Sequence, residues 1–100
     1  MPSRHAEIHP EAIAEARAAN RWYRTRSISA ADAYLAELDQ AVVAIAENPD
    51  RWPWYVYGTR RYVFRRFPFY VVYRERSETI QIIAVAHTRR KPGYWKRRMN

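Results

Sequence analysis

The sequence predicts an α+β fold, a short first strand and a helical hairpin packed on a mainly antiparallel sheet, in the order β-α-α-β-β-β. Three observations lead there. Apolar residues recur at helical spacing in two consecutive stretches, separated only by the Ser27-Ile28 link. From Thr59 onward the pattern changes to strand-like runs broken by Pro68 and by Glu75-Arg76-Ser77-Glu78. Each apolar helix face needs a sheet to cover, and the second half supplies one. The 100 residues are expected to form one domain, with a short basic element at the C-terminus.

Arg4 to Ile8 reads as the first strand, with Ala6 and Ile8 on one side. His9-Pro10-Glu11 then opens a helix, because proline suits the first helical turn and Glu11 and Glu15 complement the positive end of the helix dipole. This helix is expected to run to about Arg26. Ala12, Ala16, Ala19 and Tyr23 form a stripe of small residues along it, and Arg17, Arg21 and Arg24 lie off the stripe on a solvated face. Ser29 with Asp32 reads as an approximate capping box for the second helix. Ala31, Leu35, Leu38, Val42 and Ile45, joined by Tyr34 and Ala41, make its apolar face. Asn48-Pro49 ends it, with Asn48 in a left-handed cap.

Asp50 to Gly58 is an aromatic loop. Its rings either close one end of the core or offer a surface on which bases stack. Arg60 to Arg66 and Phe69 to Arg74 are strands, and Thr79 to His87 is a third, central by its apolar density. Strict alternation along this last strand places Ile80, Ile82, Ala84 and Ala86 beneath the helices, and His87 on the open face. The tail from Thr88 carries six basic residues and no acids. It is either solvated or a short element anchored on the sheet by Tyr94 and Trp95.

Charge narrows the function. Residues 1–50 hold five arginines against eight acids, whereas residues 51–100 hold thirteen Lys or Arg against two acids and twelve of the fifteen aromatics. Such asymmetry predicts one basic face for a phosphate-bearing or acidic partner. With no cysteine and three scattered histidines, His5, His9 and His87, neither a disulfide framework nor a metal motif is expected, and no cofactor. No apolar run approaches the roughly 20 residues of a membrane span, and the N-terminus lacks a signal-peptide core, so the expected location is the cytoplasm with no membrane partner.

The segments HPEAIAEARAANRWY, LAELDQAVVAIAENPDRWP, RRYVFRRFPFYVVYR and IQIIAVAHTRRKPGYW, in that order, resemble the RelE/ParE superfamily of bacterial toxins, the toxin halves of type II toxin–antitoxin pairs. The resemblance implies a cognate antitoxin as partner and one of two activities. RelE-like members cleave messenger RNA on the ribosome without metal; ParE-like members poison DNA gyrase without a catalytic residue. By position, Arg65 resembles the family's phosphate-contacting arginine and Tyr94 the C-terminal tyrosine of the cleaving branch. Thr88 stands where a second catalytic arginine is expected, with Arg89 or Arg90 a small shift away.

Metal-free RNA cleavage would therefore fall to Arg65, His87 and Tyr94, with His87 as an acid or base at neutral pH. A structural role competes at each: an ion pair for Arg65, a backbone hydrogen bond for His87, core closure for Tyr94. Target or phosphate contact is expected from Arg60, Arg61, Arg65, Arg66, Arg89, Arg90, Lys91 and Trp95. The net negative first half departs from the overall basic character of the cleaving branch, which favours the gyrase inhibitor. A small nucleic-acid-binding module is the reading outside the family.

Overall fold

The computed structural model describes residues 4–100. Strand β1 (Ala6–Ile8) leads into helix α1 (Pro10–Arg24) and helix α2 (Ile28–Glu47). Strands β2 (Arg60–Val63), β3 (Phe69–Arg76) and β4 (Thr79–His87) follow. The sheet has the order β1-β4-β3-β2, with β1 parallel to β4 and the other pairs antiparallel.

The caps explain where the helices begin. His9 Nδ1 accepts a hydrogen bond from the Glu11 N–H, and Pro10, which has no N–H to satisfy, occupies the first helical position. Helix α1 stops at Arg24, two residues short of the expected end. The cap of α2 is Ser27, whose hydroxyl accepts from the Ala30 N–H, so Ser29 lies inside the first turn. Asp32, expected in a capping box with Ser29, instead pairs with Arg24 across the hairpin at 3.0 Å. Asn48 ends α2 with φ −141°, outside the left-handed region expected for it.

The helices cover one face of the sheet. Ala12, Ala19, Tyr34, Ala41 and Ile45 pack there against Phe64, Phe69, Val71, Tyr73, Ile80, Ile82 and Val85. The Tyr34 hydroxyl is buried in this core with no hydrogen-bond partner among the described residues, and burial pushes its phenol pKa upward. Tyr34→Phe removes that orphan and keeps the ring packing, so it is expected to hold or raise stability, by up to about 1 kcal/mol. A loss above about 1 kcal/mol in urea unfolding would reveal a missing partner for the hydroxyl.

The opposite face carries a second core, Tyr70, Val72, Ile83, Ala84 and Ala86, closed by Trp95. Trp95 is fully buried, which corrects its assignment as a target contact. The tail is thus an element folded on the sheet, ending in a 3₁₀ turn, Lys96–Met99.

Alternation along β4 is broken once. Val72 faces Ala84 and Tyr73 faces Ile82, so Ile83 is an extra residue without a partner on β3, a β-bulge. Ile80 and Ile82 lie beneath the helices as expected. Past the bulge Ala84 and Ala86 turn to the Trp95 side, and Val85 to the helix side. His87 follows Val85 and joins a cleft beside α1, contrary to the expected open face.

Two strand ends also moved. β3 runs on to Arg76 and turns through Ser77 and Glu78, both with positive φ, in a two-residue hairpin. β2 stops at Val63, because Glu37 on α2 accepts the Arg65 N–H at 2.7 Å and the Arg66 N–H at 3.3 Å. Arg65 and Arg66 therefore occupy the turn after β2, not a strand.

Candidate target-binding end and cleft

One end of the sheet gathers most of the expected contact residues. The turn after β2 and the segment after β4 meet there, joined by the Thr88 N–H donating to the Pro68 carbonyl at 2.9 Å. Arg65 and Arg66 reach this end from one segment, and Arg89, Arg90 and Lys91 from the other. All five are exposed. Among the described residues none is in an ion pair. Five unpaired cations on two neighbouring loops raise the local potential far more than five scattered over the surface would.

The remaining arginines divide. Arg61 projects from the helix-distal face of β2, its guanidinium 4.3 Å from the Tyr55 ring centre, with no ion-pair partner among the described residues. Arg60 is removed from the expected set. Its guanidinium donates to the Asp50 and Trp52 carbonyls at 3.2 and 2.6 Å and stacks 3.7 Å over Trp54, so it locks the aromatic loop onto β2. The loop's rings differ in burial. Trp52 stacks on Tyr62 at 5.2 Å and is half-buried, whereas Trp54 remains 69% exposed.

The three residues suggested for catalysis do not all come together. His87 and Tyr94 line one cleft of about 410 Å³, with Arg90 at its rim; Arg65 is not among its lining residues. His87 Nδ1 accepts from the Arg89 N–H at 3.0 Å, and its ring meets Phe69 edge-on at 5.0 Å. The Tyr94 hydroxyl donates to Glu15 Oε2. Burial and that hydrogen bond push its pKa well above the ordinary phenol value. Arg90 stacks on the Tyr94 ring at 3.9 Å. The cleft therefore offers a free imidazole edge beside a tyrosine that is already committed.

Glu15 is the residue whose contacts at this site sequence reasoning missed. Its carboxylate accepts from the Val85 N–H at 3.0 Å, from Tyr94, and from both terminal nitrogens of Arg98 at 2.8 and 3.1 Å. Arg98 also donates to the Ile83 carbonyl at 3.1 Å. β1 pairs with β4 only up to Ile82, so the bulged half of β4 is an open edge, and Glu15 and Arg98 occupy its backbone groups. The same contacts strap the tail to α1, reinforced by Arg97 to Glu11 at 2.9 Å. The visible signal was a carboxylate between Ala12 and Ala19 on the buried side of a helix.

A second groove runs between the helices. Ile8, Ala12, Ile13, Ala16, Leu38 and Val43 line it, enclosing about 510 Å³, with Val43 55% exposed. Among the described residues no three His, Asp or Glu side chains converge as a metal site would need. Among the described residues no helix is long and apolar enough to cross a membrane.

The helical hairpin on a four-stranded sheet is the fold that the resemblance to the RelE/ParE superfamily implies. The chain belongs to the family described as ParE toxin of type II toxin-antitoxin system, parDE, which it matches over residues 6–92. Membership implies an antitoxin as partner. A search of curated proteins gave no match.

Proposed function

We propose that the chain is a growth-inhibiting toxin that acts by binding its target, DNA gyrase, rather than by cleaving RNA, and does so in the cytoplasm. The observation that carries this reading is the commitment of Tyr94 to Glu15. A hydroxyl bound to a carboxylate and pushed to high pKa is poorly placed to shuttle a proton at neutral pH. Arg65, the guanidinium that would steady a phosphate, is absent from the cleft that holds His87 and Tyr94. The basic end is suited instead to a charged macromolecular surface, which needs contact and no chemistry. The antitoxin would neutralise it with an acidic, amphipathic segment that lies in the groove between α1 and α2 and reaches this end.

One observation favours the nuclease: His87, Arg90 and Tyr94 do share a cleft. The test separates the two readings. Purified protein is expected to inhibit supercoiling by gyrase and to trap cleaved DNA. Arg89→Gln with Arg90→Gln and Lys91→Gln is expected to weaken gyrase inhibition about tenfold or more, with a reduced salt dependence. Arg65→Ala with His87→Ala is expected to leave messenger RNA on translating ribosomes as intact as the unaltered chain does. New RNA ends that appear with the unaltered chain and vanish in this double variant would overturn the reading.

A further inference from the structure

The cleft beside α1 has a composition that the gyrase reading does not use. Its floor is apolar, made by Ala19, Phe69 and Val85, and Trp22, 53% exposed, stands at its mouth. It is open because α1 presents alanines at 18 and 19, where larger side chains would fill it. At about 410 Å³ it falls at the small end of ligand pockets, which span roughly 300–1,000 Å³. That is room for one large side chain and the backbone that carries it.

The charge around it has one sign. Among the described residues Glu15 is the only carboxylate lining it; Arg98 neutralises that group, and Tyr94 and the Val85 N–H donate hydrogen bonds to it. His87 and Arg90 form the rim, and Arg89 and Lys91 flank Arg90 in sequence. The interior distinguishes a side chain from a nucleobase. The polar atoms of Tyr94 and Glu15 are bonded to each other, so the side chains left to meet the edge groups of a base, His87, Arg90 and Trp22, stand at the rim and mouth, and the floor of Ala19, Phe69 and Val85 offers none. A base seated there would lose hydrogen bonds to water without replacing them; a hydrocarbon side chain would lose none.

We infer that this cleft docks an acidic segment of a partner protein, which inserts one aromatic or branched aliphatic side chain between Trp22 and Phe69 and sets its flanking carboxylates on Arg90 and His87. The inference rests on the reading of the basic end as the chain's contact surface. It adds an apolar anchor to what would otherwise be attraction between charges, and a buried anchor is what fixes register in such contacts.

The test uses the full chain and labelled peptides in fluorescence anisotropy. The acidic probe is Glu-Asp-Leu-Phe-Asp-Glu; the controls carry Ala-Ala in place of Leu-Phe, or Lys in place of every acid. The acidic apolar probe is expected to bind, and the alanine control about tenfold more weakly. Ala18→Leu, an exposed helical position where leucine fills the cleft, is expected to weaken the probe about as much, and Arg90→Gln to weaken it and flatten its salt dependence. Equal binding of the two acidic peptides, or no effect of Ala18→Leu, overturns the cleft and leaves the basic end standing. Absence of binding by both acidic peptides overturns the two together. Preference for the lysine peptide, competition by a single-stranded RNA hexamer that Ala18→Leu abolishes, or self-association blocked by Ala18→Leu would each assign the cleft to another occupant and overturn the inference.

Discussion

Replacing Glu15 with alanine is expected to cost about 3 kcal/mol or more, because it leaves the buried Arg98 guanidinium with only Glu11 Oε2, 3.6 Å from its Nε, as counter-charge. The Arg98 side chain is 5% exposed, and its Nε already has no hydrogen-bond partner among the described residues. The Tyr94 hydroxyl and the Val85 N–H would lose their acceptor as well. At roughly 4–8 °C per kcal/mol for a chain of this size, the thermal midpoint is expected to fall by more than about 12 °C. Glu15→Gln keeps two acceptor sites and is expected to fall between the two. The double variant Glu15→Ala with Arg98→Met is expected to be more stable than Glu15→Ala alone, since removing both charges leaves neither one buried without a partner. A loss under about 1 kcal/mol in Glu15→Ala would show that water, rather than this carboxylate, satisfies the strap.

Glu15 and Glu37 also explain what the sequence did and did not disclose. The helical hairpin and the three-stranded meander were legible because period and turn chemistry agree along most of the chain. Tyr62 and Phe64 facing the helices, and Arg61 and Val63 facing away, follow from alternation alone. What alternation cannot show is where it stops. The bulge at Ile83 carries no glycine or proline to announce it, and one extra residue transferred Val85 and His87 to the helix side. Each departure lies where a helix-borne carboxylate takes over from the ladder. Glu15 holds the Val85 N–H beyond the bulge, and Glu37 holds the Arg65 and Arg66 N–H groups where β2 ends. Both glutamates interrupt an apolar stripe, Glu15 between Ala12 and Ala19 and Glu37 between Tyr34 and Ala41. That interruption is the sequence signal for a carboxylate aimed inward.

The contact residues divide on the same principle. Arg89, Arg90 and Lys91 follow the last strand directly, so their place at one end of the sheet is set by topology. Arg60 was lost to the contact set because two carbonyls of the aromatic loop lie within its reach, a tertiary fact that its neighbours in sequence do not encode. Trp95 was misread because charge surrounds it on both sides, whereas its ring belongs to the sheet.

Trp95→Ala is expected to cost about 3–5 kcal/mol, the range for truncating a fully buried tryptophan. The ring closes the helix-distal core over Tyr70, Val72, Ala84 and Ala86, residues that a four-stranded sheet would otherwise leave to water. Its placement is set by a tight packing upstream. Gly93 has φ +86°, and a Cβ there would come within 2.6 Å of Tyr57 Cε2, while the Tyr57 ring in turn packs edge-on against Trp95. Removing the indole leaves Tyr57 without its support and the strap pulling on an unpacked tail. The variant is therefore expected to be cut by trypsin after Lys96 or Arg97 under conditions where the unaltered chain resists. Trp95→Phe keeps most of the ring and discards an indole N–H that has no partner among the described residues, so it is expected to cost less than half as much. Lys96→Ala, exposed one residue away, is the control; it gives up only a cation–π contact 4.5 Å from the Tyr57 ring centre and is expected to change stability by no more than about 1 kcal/mol. If Trp95→Ala and Lys96→Ala prove alike in urea unfolding, Trp95 does not hold the tail. If Trp95→Ala alone unfolds early and loses growth inhibition while Arg89, Arg90 and Lys91 are intact, the segment that presents those cations owes its shape to the buried indole four residues beyond them.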